Sequence, residues 1–440
     1  MNEYRKLIKP YIKGKSISTD SSFQNGIDET VEFLKDLFLK HDFRVDIVTG
    51  YDNPIIVAYY EVDPKVETCL IYGHYDVQPA DKSDGWMFDP FSATEFEGRF
   101  YCRGAIDNKG QNLIHIVNIF KLIKEKKLKF NVKFMIEGNE ETGSPKIESF
   151  IKHNKELLKS DFVMISDGEI VSNLPTIEVG FRGGFNAELK ITTSSTDMHS
   201  GIFGGAVPNA IHELSIILSK LYDSKTYKVN IEGFYDDVEE IEENILKNNR
   251  SIPFSIEEYM NLTGTFDGGL LLEEGIDYYT AVSLKPTVHV TGINSGYTGI
   301  GFRNSISGSA VAKINFRLVL NQEPDKIIKL FKKFLDKEIP KYVKYELITT
   351  NPYNGIKVDI KNKWVERAYS SLEQAFGNKP IYKYCGGGLP IVTFFSDILR
   401  IPNVLIPLAN EDCKMHAANE NFSIEQIKKS LEFSRIFFSK

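Results

Sequence analysis

The sequence predicts an α/β protein with two domains. Short apolar runs alternate with segments of helical periodicity as far as Asp167, which is the pattern of helices packed on a sheet. The character of the chain changes after Gly183-Gly184, and helical periodicity returns at Trp364. At 440 residues the chain is too long for one ordinary core, and its 42% of hydrophobic residues is enough for two.

The first part of the chain contains the predicted strands and helices of the larger domain. Apolar runs at 68–74, 132–136 and 162–165 are predicted buried strands. Polar residues follow each run, and in open α/β sheets functional groups collect at the carboxyl ends of the strands. Helical spacing of apolar residues predicts two helices, one with Ile27, Val31, Leu34, Leu37 and Phe38, the other with Leu113, Ile116, Val117 and Phe120.

The second part of the chain has a different order of elements. A predicted strand at 185–192 precedes a helix, and a second strand and helix are predicted at 310–320 and 325–335. The stretch from Tyr222 to Tyr279 is polar, acidic and irregular in period. A final helix begins at Ser423-Ile424-Glu425-Gln426, which has the spacing of a capping box.

His74 and Asp76 end the first buried run, with both side chains on one face of an extended strand. A histidine that binds a metal commonly donates its second ring N–H to a carboxylate, which fixes its tautomer. We therefore interpret His74 as a metal ligand and Asp76 as the residue that orients it. The alternative, a satisfied histidine that closes a strand, is less favoured because Asp76 and the downstream carboxylates are all present.

Adjacent carboxylates follow the second run, at Glu140 and Glu141. Neighbouring carboxylates repel and are costly to bury unless a cation compensates them or one binds a proton. Asp167 follows the third run, Asp107 lies in a loop that enters the second helix, and His416 comes near the end of the chain. Taken alone, the glutamates could form an exposed acidic turn, and Asp167-Gly168 is a common turn sequence.

These segments together resemble the M20 family of metallopeptidases, and most closely its carnosinase-like, cytosolic dipeptidase branch. The matching segments occur in family order over nearly the whole chain. They are Gly73-His74-Tyr75-Asp76-Val77-Gln78-Pro79-Ala80, Asp84-Gly85-Trp86 with Asp89-Pro90-Phe91, Arg103-Gly104-Ala105-Ile106-Asp107-Asn108-Lys109-Gly110, Glu137-Gly138-Asn139-Glu140-Glu141, Asp197-Met198-His199-Ser200-Gly201 and Gly386-Gly387-Gly388-Leu389-Pro390.

The resemblance implies two divalent metal ions per chain, with Glu140 as the general base. Histidine and carboxylate ligands without thiolate suit zinc, manganese or cobalt, and we expect zinc. Cys413 is a conceivable soft competitor for the nearby histidine, but such a site does not need a thiolate. The implied ligands are Asp107 as the bridge, His74 and Asp167 on one metal, and Glu141 and His416 on the other.

The resemblance also implies residues that act on the substrate. His199 matches a lid histidine that reaches the active site of a neighbouring subunit and stabilises the oxyanion, which implies a homodimer. Arg317 resembles the arginine that receives the substrate's terminal carboxylate, although it could instead be an outward-facing strand residue. Gly387 and Gly388 are candidate substrate contacts. Gly388 stands where carnosinase-like enzymes carry serine, so a hydroxyl contact expected for carnosine-type specificity is absent.

The resemblance implies a catalytic domain that is formed from two separate stretches of the chain. Residues 1–182 and 357–440 are expected to form a catalytic domain with a mixed sheet flanked by helices. Residues 183–356 are expected to form an inserted α+β domain that serves as lid and dimerisation surface. The expected activity is hydrolysis of dipeptides or other short peptides by an activated water. An N-acyl amino acid deacylase of the same family is the nearest alternative, and a catalytically silent metal-binding homologue is a more distant one.

Charge, hydropathy and cysteine usage limit the partners and the location. The net charge of −7 argues against nucleic acid, because a polyanion would be repelled. No apolar run is long enough to span a bilayer, and residues 1–10 lack the apolar core of a secretory signal. The four cysteines show no Cys-x-x-Cys spacing, which favours a reduced cytoplasmic protein. The remaining histidines have no carboxylate pattern around them and are expected to be structural or on the surface: His41, His115, His153, His212 and His289.

Overall fold

The structure is a computed structural model that describes residues 1–223, 226 and 228–440, except for the side chain of Leu262. Its strands, in chain order, are β1 (Arg44–Val48), β2 (Ile55–Tyr60), β3 (Thr68–His74), β4 (Thr94–Phe96), β5 (Arg99–Tyr101), β6 (Asn131–Glu137), β7 (Phe162–Ile165), β8 (Thr176–Phe181), β9 (Gly183–Thr192), β10 (Met198–His199), β11 (Thr287–Ser295), β12 (Ser305–Ile306), β13 (Ser309–Leu318), β14 (Lys344–Tyr353), β15 (Ile356–Lys357), β16 (Ile381–Cys385), β17 (Asn403–Leu405) and β18 (Asn421–Ser423).

The helices, in chain order, are α1 (Asn2–Lys13), α2 (Gln24–Leu39), α3 (Lys109–Lys124), α4 (Ile147–His153), α5 (Lys155–Leu158), α6 (Ser200–Phe203), α7 (Ala210–Lys220), α8 (Glu243–Ser251), α9 (Ile256–Thr263), α10 (Tyr278–Leu284), α11 (Pro324–Glu338), α12 (Lys363–Phe376), α13 (Pro390–Phe394) and α14 (Ile424–Ser439). Among the described helices, none is both long enough and apolar enough to cross a bilayer.

The larger sheet is mixed and runs in the order β1-β2-β6-β3-β7-β17-β8-β15, with β16 also paired to β8. Its centre is parallel, because β3 pairs in parallel with both β6 and β7, and Ile71 lies opposite Phe134 on one side and Met164 on the other. Strands covered on both faces are apolar along their whole length, and β7 is buried at every position. Helices flank this sheet, so the predicted α/β class with a mixed sheet is confirmed.

The smaller sheet is antiparallel, in the order β11-β13-β9-β14. Buried and more exposed positions alternate along β9 and β13, which is the pattern of a sheet with one face on a core and one toward solvent. A second apolar core lies under it, where the Phe185 and Phe316 rings stack at 4.3 Å and residues of α7 and α11 such as Leu214 and Phe331 are buried. We call this sheet, with α7, α11, the short β10–β12 pair and the loops that connect them, the lid body, and the larger sheet with its helices the catalytic body.

Helices α8 and α9 come from the stretch that the sequence shows as polar and irregular, and α10 begins at its end. Parts of α8 and α10 lie against the catalytic body: Ile245 and Leu284 pack on its core, and Asn248 Nδ2 donates to Tyr382 O at 2.8 Å. The prediction for positions 224, 225 and 227 of that stretch lies outside the described residues. The division of the chain into a lid domain at 183–356 and a catalytic domain on either side stays a prediction.

The predicted start of the last helix is confirmed, but only one of the two hydrogen bonds of a capping box forms. Ser423 is the N-cap of α14, and its side chain accepts a hydrogen bond from the backbone N–H of Gln426. A full capping box would also turn the Gln426 side chain back to Ser423. The Gln426 amide instead donates to Leu408 O at 2.9 Å, because the first turn of α14 lies against the buried chain leading from β17.

Candidate active site

The parallel centre of the larger sheet brings the predicted site residues to one edge. His74 is the last residue of β3, Glu137 is the last residue of β6, and β7 ends two residues before Asp167. Because these three strands are parallel neighbours, their carboxyl ends meet at the same edge. Glu140 and Glu141 follow β6 in a short 3₁₀ turn, Glu140–Thr142.

The first group of candidate ligands consists of His74, Asp107 and Asp167. His74 Nε2 lies 3.0 Å from Asp107 Oδ1 and 3.6 Å from Asp167 Oδ2. On the other side of the ring, His74 Nδ1 lies 3.1 Å from the Asp76 carbonyl oxygen and 3.3 Å from Asp76 Oδ1. Asp76 therefore orients the imidazole ring so that Nε2 faces the carboxylates of Asp107 and Asp167.

The second group consists of Asp107, Glu141 and His416. His416 Nε2 lies 2.6 Å from Asp107 Oδ2 and 3.4 Å from Glu141 Oε2. In each group the candidate ligand atoms all lie within 4.8 Å of one another. Asp107 belongs to both groups, with one oxygen directed to each histidine. Cys413 belongs to neither group, and its thiol donates to Glu169 Oε2 at 3.3 Å.

The donor set fits a pair of divalent cations. Among the described residues, His74 Nε2 and Glu141 Oε1 are buried polar atoms without a hydrogen-bond partner of good geometry, and such atoms are costly to bury unless something satisfies them. Burial and the charge of Asp107 raise the pKa of Glu141 to about 7. Imidazole nitrogen and carboxylate oxygen are donors that zinc, manganese and cobalt accept.

The same charges act on the other members of the site. Burial raises the pKa of Glu140 well above its usual range, and the negative charges of Asp167, Asp107 and Glu141 add to the shift. Burial opposes the charged form of His74, but its contacts with carboxylates outweigh burial and raise its pKa. The excess of carboxylates over cations therefore favours whatever positive charge binds here.

Asp76 also holds the turn that carries Glu140 and Glu141, a role that the sequence did not predict. Its carboxylate accepts the backbone N–H of Glu140 at 3.2 Å and that of Glu141 at 3.1 Å. It also accepts from the Ser18 hydroxyl at 2.6 Å. Asp76 thus orients His74 and the turn that carries both glutamates, and Ser18 fixes Asp76 in turn.

Glu420 and Arg103 form a second supporting pair that sequence reasoning missed. The fully buried Glu420 carboxylate accepts from Arg103 Nη1 at 2.6 Å and from the backbone N–H of Ile106 at 2.9 Å. Arg103 Nη2 donates to the carbonyl oxygen of His416 at 3.2 Å. This pair therefore ties the loop of Asp107 to the loop of His416.

His199 does not join these groups within one chain. It ends β10 in the lid body and is exposed. Its Nδ1 accepts a hydrogen bond from the backbone N–H of Gly201 at 3.0 Å. The neutral ring therefore carries its proton on Nε2, which makes Nε2 a hydrogen-bond donor.

Arg317 lies on β13 beside the junction of the two bodies, where it pairs in the ladder with Gly184. Its Nη1 donates to the Tyr353 hydroxyl at 2.9 Å. Gly387 and Gly388 lie in the loop after β16, and the backbone N–H of Arg182 donates to Gly387 O at 3.2 Å. Arg182 Nε also donates to Gly386 O at 2.7 Å, so this glycine loop is held against the junction.

Comparison with known proteins identifies the family. Residues 70–438 match peptidase family M20/M25/M40, which is most of the 440-residue chain. The chain belongs to this family. The membership that the sequence motifs indicate is thereby confirmed.

Individual relatives of this M20 chain agree with that assignment. The chain is 31% identical to human Beta-Ala-His dipeptidase, and the alignment covers 84% of this chain and 74% of that protein. It is 30% identical to the Cys-Gly metallodipeptidase DUG1 of Saccharomyces cerevisiae over 93% and 89% of the two chains. The crystal structure of the M20 metallo-carboxypeptidase Sso-CP2 from Sulfolobus solfataricus superposes with a TM-score of 0.91 at 32% identity, covering 100% and 99% of the two chains.

Proposed function

We propose that this protein is a dinuclear metallopeptidase that hydrolyses the amide bond of dipeptides or other short peptides. The observation that carries the proposal is the pair of ligand groups that share Asp107 at the edge of the parallel sheet, with Glu140 beside them. The names of its M20 relatives, which include dipeptidases and a carboxypeptidase, support peptides as the substrate class.

In this proposal His74, Asp107 and Asp167 would hold one cation, and Asp107, Glu141 and His416 would hold the other, so Asp107 would serve both. We propose zinc, with manganese and cobalt as alternatives that the same donors accept. Divalent cations at such a site supply Lewis-acid polarisation of the scissile carbonyl and lower the pKa of a water.

Glu140 acts as the general base and then as the acid for the departing amine. It is adjacent to Glu141 in the chain, but only Glu141 has a carboxylate oxygen close to His416 and a Gln78 amide donating to it at 2.7 Å. Glu140 is thus free to exchange a proton. Because its pKa is raised by burial and by nearby carboxylates, it accepts a proton more readily than an ordinary glutamate.

Arg317 binds the free carboxylate at the C-terminus of the substrate. Its hydrogen-bond partner in the structure is a neutral phenol, so its charge remains available for an anion. A guanidinium fork matches a carboxylate in two-point geometry. Gly387 and Gly388 contribute backbone groups beside the same position. An N-acyl amino acid would present the same carboxylate, so a deacylase remains the alternative activity.

His199 stabilises the oxyanion in the active site of a second copy of the chain. Its Nε2 is a donor and its ring faces solvent, which suits a group that acts across an interface. Large apolar side chains of the lid body are exposed in the described chain, among them Ile300, Phe302 and Ile293. Exposed apolar groups of this kind favour a protein interface, and we propose a homodimer through the lid body.

We also propose a division into domains and a location in the cell. The division is into a catalytic domain, 1–182 and 357–440, and a lid domain, 183–356. The presence of two separate apolar cores supports it. The location is cytoplasmic, which is supported by four cysteines that are buried and free.

Two measurements test the proposed function. Elemental analysis of the metal-replete protein should give two divalent ions per chain, and a chelator should abolish activity. A panel of dipeptides, tripeptides and N-acyl amino acids, assayed with zinc, manganese or cobalt, should show turnover of the peptides. Full activity with one metal or none would contradict the two-metal mechanism, and turnover confined to N-acyl amino acids would favour the deacylase.

A further inference from the structure

Tyr353 occupies the junction between the lid body and the glycine loop of the catalytic body. It is the last residue of β14 and pairs with Gly184 after an irregularity in the ladder between Thr350 and Tyr353. From this position its half-buried ring crosses from the lid sheet to Gly388. Its hydroxyl oxygen accepts from Arg317 Nη1 at 2.9 Å. One phenol therefore contacts the arginine of one body and the loop of the other.

Gly388 leaves the space that the Tyr353 ring fills. A Cβ atom added at Gly388 would lie 2.1 Å from the Tyr353 hydroxyl oxygen and 2.4 Å from its Cε2. Neither distance is possible for non-bonded atoms, so a side chain at position 388 would displace the ring. The glycine at 388 and the tyrosine at 353 thus require each other in this arrangement.

The surroundings of Arg317 favour an anion. The Arg182 side chain is close to Arg317. Burial, together with the charge of Arg317, lowers the pKa of Arg182 to about 10. Two nearby guanidinium groups repel each other, and an anion beside them would relieve that repulsion. Arg182 is already hydrogen-bonded to carbonyl oxygens of Gly386 and Lys285. Arg317 is the member of the pair whose observed partner is an uncharged hydroxyl.

We propose that Tyr353 is a specificity-determining residue that positions Arg317 for the terminal carboxylate of the substrate, and that Gly388 is glycine because it must admit the Tyr353 ring. This inference rests on the proposed role of Arg317 in peptide binding. A long arginine side chain loses rotamer freedom when it binds. Holding one of its nitrogens beforehand lowers that cost for ligands with a carboxylate and leaves other ligands unaffected.

The test measures binding without turnover. The parent is the metal-loaded Glu140→Gln protein, titrated calorimetrically with alanylalanine and with alanylalanine amide. Tyr353→Phe in this parent should weaken binding of the acid about five-fold, the factor for about 1 kcal/mol, which is the typical net contribution of one hydrogen bond, and should leave binding of the amide unchanged. Gly388→Ala should weaken the acid at least as much, because it displaces the whole ring.

A double variant separates positioning from general damage. In a Tyr353→Ala background the added methyl group of Gly388→Ala meets no ring, so it should cost little further affinity for the acid. Tyr342→Phe is the matched control, since this exposed lid tyrosine donates to Glu213 at 3.1 Å and its hydroxyl should not affect either ligand. Metal content and the thermal midpoint of each variant report whether it is folded.

The outcomes distinguish this inference from the proposed function. Equal weakening of acid and amide by Tyr353→Phe, or a parent with no preference for the acid, would overturn the positioning role whatever the wild type hydrolyses. A wild type that cleaves no peptide, together with a Tyr353-dependent preference for the acid, would refute the proposed reaction and leave the positioning role intact.

Discussion

The catalytic body and the lid body present their proposed functional groups in opposite ways. His74 and Asp107 are 0% and 5% exposed at the edge of the catalytic sheet. On the lid body His199 is exposed, and the side chains of Ile300 and Phe302 are as open to solvent as in an extended chain. Most of the first region is enclosed by its own chain, although the His416 side chain is 51% exposed. The second has the features of a surface that another molecule covers.

The difference follows from the cost of burying charge. A buried carboxylate is tolerated only when hydrogen bonds or cations compensate it, and the buried carboxylate of Asp107 lies against both His74 and His416. Asp76 alone receives three hydrogen bonds from Ser18, Glu140 and Glu141. An exposed histidine such as His199 needs no such network. Variants in the first region should therefore act within one chain, and variants in the second should act between chains.

The largest expected effect belongs to Glu140, within the catalytic body. Glu140→Gln keeps the size of the side chain but removes the base, which by itself contributes about 10²–10⁴-fold to rate. Because the same group is proposed to serve the leaving amine, we expect kcat to fall by at least that factor with metal content unchanged. Steady-state kinetics on a good dipeptide substrate, with elemental analysis, measures both quantities.

Glu141→Gln is the matched control for that variant. It changes the neighbouring residue of the same turn in the same way, but removes a proposed ligand. Metal content should fall below two ions per chain, and excess metal should restore part of the activity. If Glu141→Gln kept its metal and Glu140→Gln lost it, the roles of base and ligand would have to be exchanged.

The next largest effect tests whether His199 acts between chains. An oxyanion donor is worth roughly 10²–10³ in turnover, so His199→Ala should be nearly inactive and still bind two metal ions. Mixing it with an inactive Glu140→Ala protein and allowing subunit exchange forms heterodimers. In these dimers one site combines an intact Glu140 with an intact His199 from the partner. Part of the wild-type activity should return.

Native mass spectrometry of the mixture reports whether exchange has occurred. The two single variants, each exchanged with itself, provide the baseline activity. Complete exchange without recovery would place the action of His199 within its own chain or remove it from catalysis, and the contrast between the two bodies would then lose its functional meaning.

A smaller effect is expected for Arg317, which lies where the two bodies meet. Hydrogen bonds to charged groups contribute about 1.5–3 kcal/mol, so Arg317→Ala should lower kcat/KM for peptides with a free C-terminal carboxylate roughly ten- to hundred-fold. C-terminally amidated peptides should be poor substrates of the wild type and should change little in the variant. Equal rates for acid and amide in the wild type would remove Arg317 from carboxylate recognition.

Several of the site residues that the sequence predicts follow directly from a buried strand. The runs ending in His74, Glu137 and Ile165 are apolar because both sheet faces are covered, and the polar residues after them meet because the strands are parallel. Helix α1 was open to the same reasoning, since Tyr4, Ile8, Tyr11 and Ile12 have helical spacing and are buried. Pro10 within that segment obscures the pattern, as proline usually breaks a helix.

The rest of the site depends on contacts between distant parts of the chain. Arg103 and Glu420 are separated by 317 positions. Arg103 begins the motif that contains Asp107, but nothing in the sequence pairs it with Glu420. Ser18 hydrogen-bonds to Asp76 from a segment without regular periodicity. Tyr353 meets Gly388 only because the two bodies come together at the junction. A pattern in one sequence groups residues of the same helix or strand. It does not pair residues that only the fold brings together.

The smallest expected effect is on stability and not on activity, and it concerns His115, a buried histidine behind the metal centre. Its Nε2 lies 2.9 Å from the hydroxyl of Ser166, next to Asp167, and its Nδ1 lies 3.1 Å from the hydroxyl of Ser434. Burial lowers the pKa of His115 to about 3, so the native protein holds it neutral. The unfolded chain binds a proton on this residue below about pH 6.5. Stability should therefore fall as the pH drops from 6.5 toward 3, by about 1.4 kcal/mol per pH unit from this group.

His115→Gln removes the titrating group and retains an amide that can bond to a serine hydroxyl. Denaturant unfolding of the metal-free wild type and variant between pH 7 and pH 4 should give the variant the shallower loss of stability on acidification. The comparison is made without metal because metal release would add its own pH dependence. Other titrating groups are common to both proteins, so the difference in slope reports His115. Parallel curves would mean that His115 is charged in the native protein, and the metal centre would then have a cation behind it at acid pH.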